Sequence, residues 1–285
     1  MKKILVFGSS GMIGHAIFNY LIAIKQYNVF GSAKNGSNSE SFYIIDVRNQ
    51  ASVEKCIFEI DPDIIINCAG ILISESEKNP ENAIQVNSLF PNLLSRLGAK
   101  LNFRLIQIST DCVFSGKHGN YTETSEPDGV SVYARTKALG ELVKDKNLVI
   151  RTSTIGPELK SKSHGLLQWF CQQKGEINGF TNAIWTGVTT LELARAVHEF
   201  IQQNISGLYN LVPNDNISKY RLLTLLINTW DKESITILPS DDYKTDKSLI
   251  NNRTDFDFSF KTYVEMLNEL YLWIKANNSL YPDYQ

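Results

Sequence analysis

The sequence predicts an α/β protein: a doubly wound parallel sheet followed by a smaller C-terminal α/β lobe. Three observations carry that expectation. Short apolar runs alternate with helical patterns through the first half of the chain. Bare apolar strands separated by helices mean a parallel sheet covered on both faces. Gly8, Gly11 and Gly14 join the first such run to the first helix. Beyond residue 151 the strands become sparser and the aromatics denser, as suits a lobe that closes over a ligand.

Each element has its own reason. Residues 4–7 read as a buried strand. Residues 12–24 read as a helix, because Ile13, Ala16, Ile17, Tyr20 and Leu21 recur at helical spacing. Short strands follow at 28–30 and 42–45, then a helix at 50–60 and a fourth strand at 63–66. A long helical pattern covers 81–100, a fifth strand 103–108, a helix 131–145 and a sixth strand 148–150. In the second half a helix is expected at 164–173. Thr189 and Glu192 have the spacing of a capping box that opens a helix through Ile201. Strands at 208–212 and 235–238 flank a leucine-rich helix that Ser218 caps and that runs to Trp230. The last helix covers 260–275. Residues 1–151 are therefore expected to bind a cofactor, with a segment near 180–203 returning to that domain. Residues 152–285 mainly form the substrate lobe.

Composition narrows the function. The chain has 285 residues, 28 basic and 30 acidic, with 43% hydrophobic and 20% charged residues. These values argue against disorder, and the absence of a basic excess argues against a nucleic-acid partner. The apolar stretch 4–7 is too short for a signal peptide, and no run of about 18 apolar residues predicts a membrane span. Cys56, Cys68, Cys112 and Cys171 show no C-x-x-C spacing. They read as reduced thiols of a cytoplasmic protein, with no metal site. The charge is unevenly spread. Residues 1–39 hold four lysines and no acid, which leaves a net −6 in the remainder.

The glycine segment explains that asymmetry. In a strand–loop–helix setting, one glycine permits the turn, one lets the backbone approach a pyrophosphate, and one lets helix and strand pack closely. The helix N-terminus then offers N–H groups and a positive dipole end. Gly8, Ser10, Gly11, Met12, Ile13 and Gly14 are the expected dinucleotide contacts. An NAD site carries an acid about 20 residues further on. Here Ser32 and Lys34 occupy that zone. A lysine attracts a 2′-phosphate that a carboxylate would repel, so NADP is favoured over NAD. Asp46 and Val47, after the third strand, are placed to hold the adenine.

Tyr133-Ala-Arg-Thr-Lys137 puts two reactive groups one helical turn apart. An ammonium near a phenol stabilises the phenolate and is expected to lower the tyrosine pKa from its ordinary value near 10. The pair can then exchange a proton with a carbonyl oxygen. Ser109-Thr110-Asp111 follows the fifth strand and brings a hydroxyl to the same edge of the sheet.

With these pieces the chain resembles the extended short-chain dehydrogenase/reductases. The matching residues are Gly8-x-x-Gly11-x-x-Gly14, Asn67-Cys68-Ala69-Gly70, Asn87, Ser109-Thr110-Asp111 and Tyr133-x-x-x-Lys137. Within that group it is most similar to the dTDP-4-dehydrorhamnose reductase family, through Ser109 to Phe114, Val149 to Ser153 and Gly187 to Ala194. The resemblance implies a Rossmann-like domain and NADPH-dependent reduction of a nucleotide-linked 4-keto-6-deoxy sugar, in deoxysugar and surface polysaccharide synthesis. It implies Thr110 as the catalytic hydroxyl, Tyr133 as proton donor, and Lys137 as its partner and the holder of the nicotinamide ribose. Cys68, Ala69, Gly70, Asn87 and Ser109 are implied to line or structure the cofactor site. Val113, Phe114, Trp185 and Arg253 are candidate substrate contacts, with Trp169 beside them.

Such reductases often have Tyr where this chain has Cys112. Some use an acid where His15 stands to bridge a dimer through a metal, so no metal is carried over. A homodimer is one option for assembly. Two other readings stand beside the reductase: an epimerase or dehydratase with tightly bound NAD, and a non-catalytic regulatory subunit of the methionine adenosyltransferase type.

Overall fold

The computed structural model describes residues 1–160, 165–256 and 258–284. Six strands of the first half are β1 (Lys3–Phe7), β2 (Asn28–Ala33), β3 (Phe42–Ile44), β4 (Ile64–Asn67), β5 (Arg104–Ile108) and β6 (Leu148–Arg151). Between them run α1 (Met12–Ala23), α2 (Gln50–Ile60), α3 (Ile73–Lys78), α4 (Pro80–Ala83), α5 (Phe90–Leu101) and α6 (Val132–Leu139). The second half supplies β7 (Thr154–Ile155), α7 (Leu166–Cys171), β8 (Gly175–Phe180), β9 (Ala183–Trp185), β10 (Val188–Thr189), α8 (Thr190–Gln202) and β11 (Gly207–Asn210). β12 (Ile217–Ser218), α9 (Lys219–Trp230), β13 (Ile235–Ser240), β14 (Thr245–Asp246) and α10 (Tyr263–Ala276) complete it.

The main sheet has seven strands in the order β11-β6-β5-β4-β1-β2-β3, and every pairing is parallel. This is the expected doubly wound, Rossmann-like sheet. Alternation along β1 shows how it is covered. Ile4 and Val6 pack with Leu193, Val197 and Phe200 of α8 on one face. Leu5 and Phe7 pack with Ile57 of α2 and Leu94 of α5 on the other. A separate core joins α7, α9 and α10 in the lobe, where β8 pairs with β13 and β9 sits between β12 and β14.

The strand expected over 208–212 is β11, at 207–210, which extends the sheet past β6 as a seventh strand. Several expectations are revised. The pattern at 81–100 is not a uniform α-helix, because residues Ile84–Leu89 form a π-helical segment. Pro91 has no N–H to give the carbonyl of Asn87 four residues earlier, so the helix widens there. The helix expected over 131–145 stops at Leu139. Gly140 packs so closely that a Cβ would lie 2.2 Å from the Asn87 carbonyl oxygen. The turn releases Glu141 inward to pair with Arg151. Finally, Thr189 accepts from the Glu192 N–H, but the Glu192 carboxylate does not complete the capping box. It pairs with Arg195 and accepts from the Lys261 N–H instead. The helix expected from residue 164 starts at Leu166; residue 164 itself lies outside the described residues.

Candidate active site

The carboxyl ends of β1, β4 and β5 open into one cleft, at the switch point between β1 and β4 where doubly wound sheets bind ligands. Gly8 has φ +77°, and a Cβ there would meet the Ala69 backbone at 2.8 Å. At Gly14 a Cβ would lie 2.1 Å from the Gly8 carbonyl oxygen. Gly14 thus lets α1 start against the turn. Gly11 caps α1 without any side-chain hydrogen bond, which leaves the N-terminus of the helix open to an anion.

The cleft has two halves. One is lined by Gly8, Ser32, Lys34, Asp46, Val47 and Arg48. The other is lined by Met12, Ile13, Ser109, Tyr133, Lys137 and Glu158. Ser10, Gly11, Cys68, Ala69, Gly70 and Lys160 belong to both. Gly14 and Asn87 stand behind the wall. Asn87 accepts from the Ile71 N–H at 2.8 Å and donates to the Ile71 carbonyl at 3.0 Å, holding the segment after Gly70.

In the first half, Arg48 grips both oxygens of Asp46, and Lys34 lies 3.6 Å from the same carboxylate. The Arg48 guanidinium holds the Asp46 carboxyl well below the usual carboxylate range. Two cations therefore face one neutralised acid. The Ser32 hydroxyl beside them is buried without a hydrogen-bond partner among the described residues. An orphaned hydroxyl next to two cations fits a phosphorylated ribose. Sequence reasoning missed Arg48, although it stands two residues after Asp46.

The reactive groups meet at the other end. Tyr133 and Lys137 are buried at 9% and 7% exposure on α6. Ser131 caps that helix by accepting from the Ala134 N–H. The Thr110 hydroxyl accepts from the Cys112 N–H at 3.1 Å and donates to Asp111 beside the Tyr133 phenol. The expected lowering of the tyrosine pKa is not what this geometry yields. Burial pushes the Tyr133 hydroxyl up, and the nearby Thr110 hydroxyl offsets it only partly. The Lys137 ammonium donates to the Ile108 carbonyl at 2.7 Å. Burial pulls Lys137 down to about 8, against the Glu141 carboxylate that raises it. Tyr133 thus keeps its proton at neutral pH, the state a proton donor needs. Ser109 donates to Glu141 at 2.6 Å, so its side chain braces the buried Glu141–Arg151 pair.

The Asp111–Val113 turn leads from the cleft into a cavity of about 460 Å³ in the lobe. Its walls include Trp169, Phe180, Trp185 and Tyr243, with Lys219, Lys247, Asp111 and Cys112 among the polar groups. The Lys219 ammonium lies 4.7 Å over the Trp185 ring, and burial pulls it down to about 8. Burial raises the Asp111 carboxyl and pushes the Cys112 thiol up to about 12. Cys112 is therefore a neutral wall rather than a nucleophile.

The profile of the RmlD substrate binding domain family matches residues 1–249. The chain belongs to this family. A dTDP-4-dehydrorhamnose reductase of Aggregatibacter actinomycetemcomitans is 28% identical over 159 residues, 54% of this chain and 51% of that protein. This chain thus aligns with about half the length of that relative. The spore coat polysaccharide biosynthesis protein SpsK of Bacillus subtilis is 26% identical over 80% of this chain and 79% of its own length. Methionine adenosyltransferase 2 subunit beta of Xenopus laevis is 22% identical over 85% and 76%. The fold matches a dTDP-4-dehydrorhamnose reductase of Bacillus anthracis, solved in complex with NADP. That match has a TM-score of 0.83 and 20% identity, and covers 96% of this chain and 99% of that one.

Not every expected contact joins the site of this RmlD-family chain. Val113 and Phe114 are buried in a small core with Tyr121, Val212 and Leu249, and Phe114 stacks on Tyr121 at 4.1 Å. They support the turn from behind rather than line the cavity. Arg253 sits at the start of β11, donates to the Ser206 and Leu208 carbonyls, and pairs with Asp255. That is the opposite end of the sheet from the cleft, so Arg253 is a structural residue. Trp185 does line the cavity, and its indole N–H donates to Ser153 at 2.8 Å. Lys219 and Lys247 escaped sequence reasoning. The only local signal was Ser218, which fixes Lys219 as the first residue of α9.

Proposed function

We propose that this chain is an NADPH-dependent reductase of the keto group of a nucleotide-linked 4-keto-6-deoxy sugar, of the dTDP-4-dehydrorhamnose kind, serving deoxysugar and polysaccharide synthesis. One observation carries the reading. Tyr133 and Lys137 line a cleft shaped for a dinucleotide, and Thr110 lies between Ser109 of that cleft and Asp111 of a separate aromatic cavity with two lysines. The chemistry a bound NADPH supplies is hydride donation. Tyr133 delivers its proton to the carbonyl oxygen, and Thr110 hydrogen-bonds that oxygen and orients it. Lys137, cationic at neutral pH, stabilises the phenolate that remains and holds the nicotinamide ribose. Lys34, Arg48 and the unpartnered Ser32 hydroxyl fit the 2′-phosphate, which supports NADP over NAD. Trp169 and Trp185 supply aromatic faces for the base, and Lys219 and Lys247 supply charge for the diphosphate.

A second reading is a regulatory subunit, favoured by the similarity to methionine adenosyltransferase 2 subunit beta. Oxidation of NADPH against a panel of nucleotide 4-keto sugars, with NADH as comparator, separates the two. The expected result is turnover with NADPH preferred. No turnover on any sugar, together with a stoichiometric partner enzyme, would establish the regulatory reading. Tightly held NAD in the purified chain would point instead to an epimerase or dehydratase.

A further inference from the structure

A chain of contacts links the C-terminal turn to both walls of the cofactor cleft. On one wall, the His15 ring bonds the Gly11 carbonyl at 2.8 Å through Nδ1. Its Nε2 meets the Tyr281 hydroxyl at 3.0 Å, and the Trp273 indole N–H also reaches that hydroxyl, at 3.3 Å. On the other wall, the Glu158 N–H donates to the Tyr284 hydroxyl at 2.8 Å. The Glu158 carboxylate accepts from the Gly165 N–H at 3.1 Å. Tyr281 and Tyr284, three residues apart, pack edge to face at 6.4 Å. The two rings therefore brace the glycine loop against the segment that carries Glu158 and Lys160.

Lys160 is the cation of that segment, and it is the only charged side chain among the described residues that lines both halves of the cleft. The other residues common to both halves are the glycine loop and the Cys68–Gly70 backbone. A dinucleotide spanning the two halves puts its pyrophosphate at their junction. The glycine loop brings backbone N–H groups and Ser10 to that junction, and residues 8–15 contain no lysine or arginine. We infer that Lys160 faces the cofactor pyrophosphate from the wall opposite the glycine loop, and that Tyr281 and Tyr284 are positioning residues that hold its segment there. The inference rests on the cofactor reading above.

Calorimetric titration of the full chain tests it with two probes, NADPH and adenosine 2′-monophosphate, which lacks the pyrophosphate. Lys160→Met is expected to weaken NADPH binding about tenfold, less at high salt, as for the loss of one charge-assisted phosphate contact. Adenosine 2′-monophosphate should bind Lys160→Met and wild type equally. Tyr284→Phe should weaken NADPH about threefold, and adding it to Lys160→Met should cost nothing further, because a positioning residue acts through the group it positions. Unchanged NADPH affinity in Lys160→Met, or equal losses for both probes, overturns the role of Lys160. Additive losses in the double variant, or no loss in Tyr284→Phe, overturn the positioning role. Wild-type protein that binds neither probe overturns the cofactor reading and this inference with it.

Discussion

Tyr133 keeps its proton because it is buried, and that sets the direction of its chemistry. A protonated phenol beside Thr110 is an acid waiting for a base, and the developing alkoxide of a reduced ketone is such a base. Tyr133→Phe removes the proton and little volume. Turnover is expected to fall at least about a hundredfold while calorimetric NADPH affinity stays within error. Full activity in that variant would sink the proposed mechanism. Lys34 and Arg48 act at the other end of the cleft. Replacing both with Met should weaken NADPH about tenfold or more and leave NADH nearly unchanged, read as the ratio of kcat/KM for the two cofactors. Lys219 adds a pH dependence. Its pKa near 8 means that the ammonium is present below that pH and is lost as pH rises through it. The sugar-nucleotide KM should therefore climb above pH ~8, and Lys219→Arg should abolish the climb, because guanidinium stays charged. Lys34 was legible in the sequence because it replaced an acid expected at a fixed distance from the glycines. Lys219 was not, because a lysine on a helix ordinarily reads as solvated surface until the fold buries it over Trp185.

The elements follow from local rules, and they deviate where a neighbour overrides those rules. The strand–loop–helix at residues 3–23 was readable because each glycine has a separate steric reason. Gly14 is the strictest. A methyl there would sit 2.1 Å from a backbone oxygen, which cannot swing away as a side chain would. Gly14→Ala should lower stability by about 2–3 kcal/mol in urea titrations and weaken NADPH in parallel, since the helix start must shift. An unchanged midpoint would mean that α1 tolerates the displacement. The π-helical segment and the early end of α6 were hidden for a shared reason. Both meet at the carbonyl of Asn87, which Pro91 leaves without its helical donor and against which Gly140 packs, and no hydrophobic periodicity reports either event.

At the scale of the whole molecule, the cofactor half is not self-sufficient. α8 covers one face of the sheet, and β11 extends it beyond β6. The buried Arg104 guanidinium donates to the carbonyls of Phe200 and Ile205. A fragment of residues 1–151 would expose that face and strand a cation without its acceptors. It should lack a cooperative thermal transition by circular dichroism, and a sharp melt would show that the later segments are dispensable. The parallel sheet was accessible from sequence because its strands are short, bare apolar runs separated by helices, whereas their order was not. The lobe was less accessible. Its two-residue strands β12 and β14 flank β9 only because the chain returns from distant positions, and nothing local marks those meetings.

The ammonium resting on Trp185 also makes the cavity visible to light. Of the four tryptophans, Trp169 and Trp185 line the cavity, while Trp230 and Trp273 belong to the packed lobe. A cation over an indole face perturbs its excited state, and a ligand that draws Lys219 away or covers the ring changes that perturbation. Indole emission is therefore expected to change when the cavity is occupied, without dye or label.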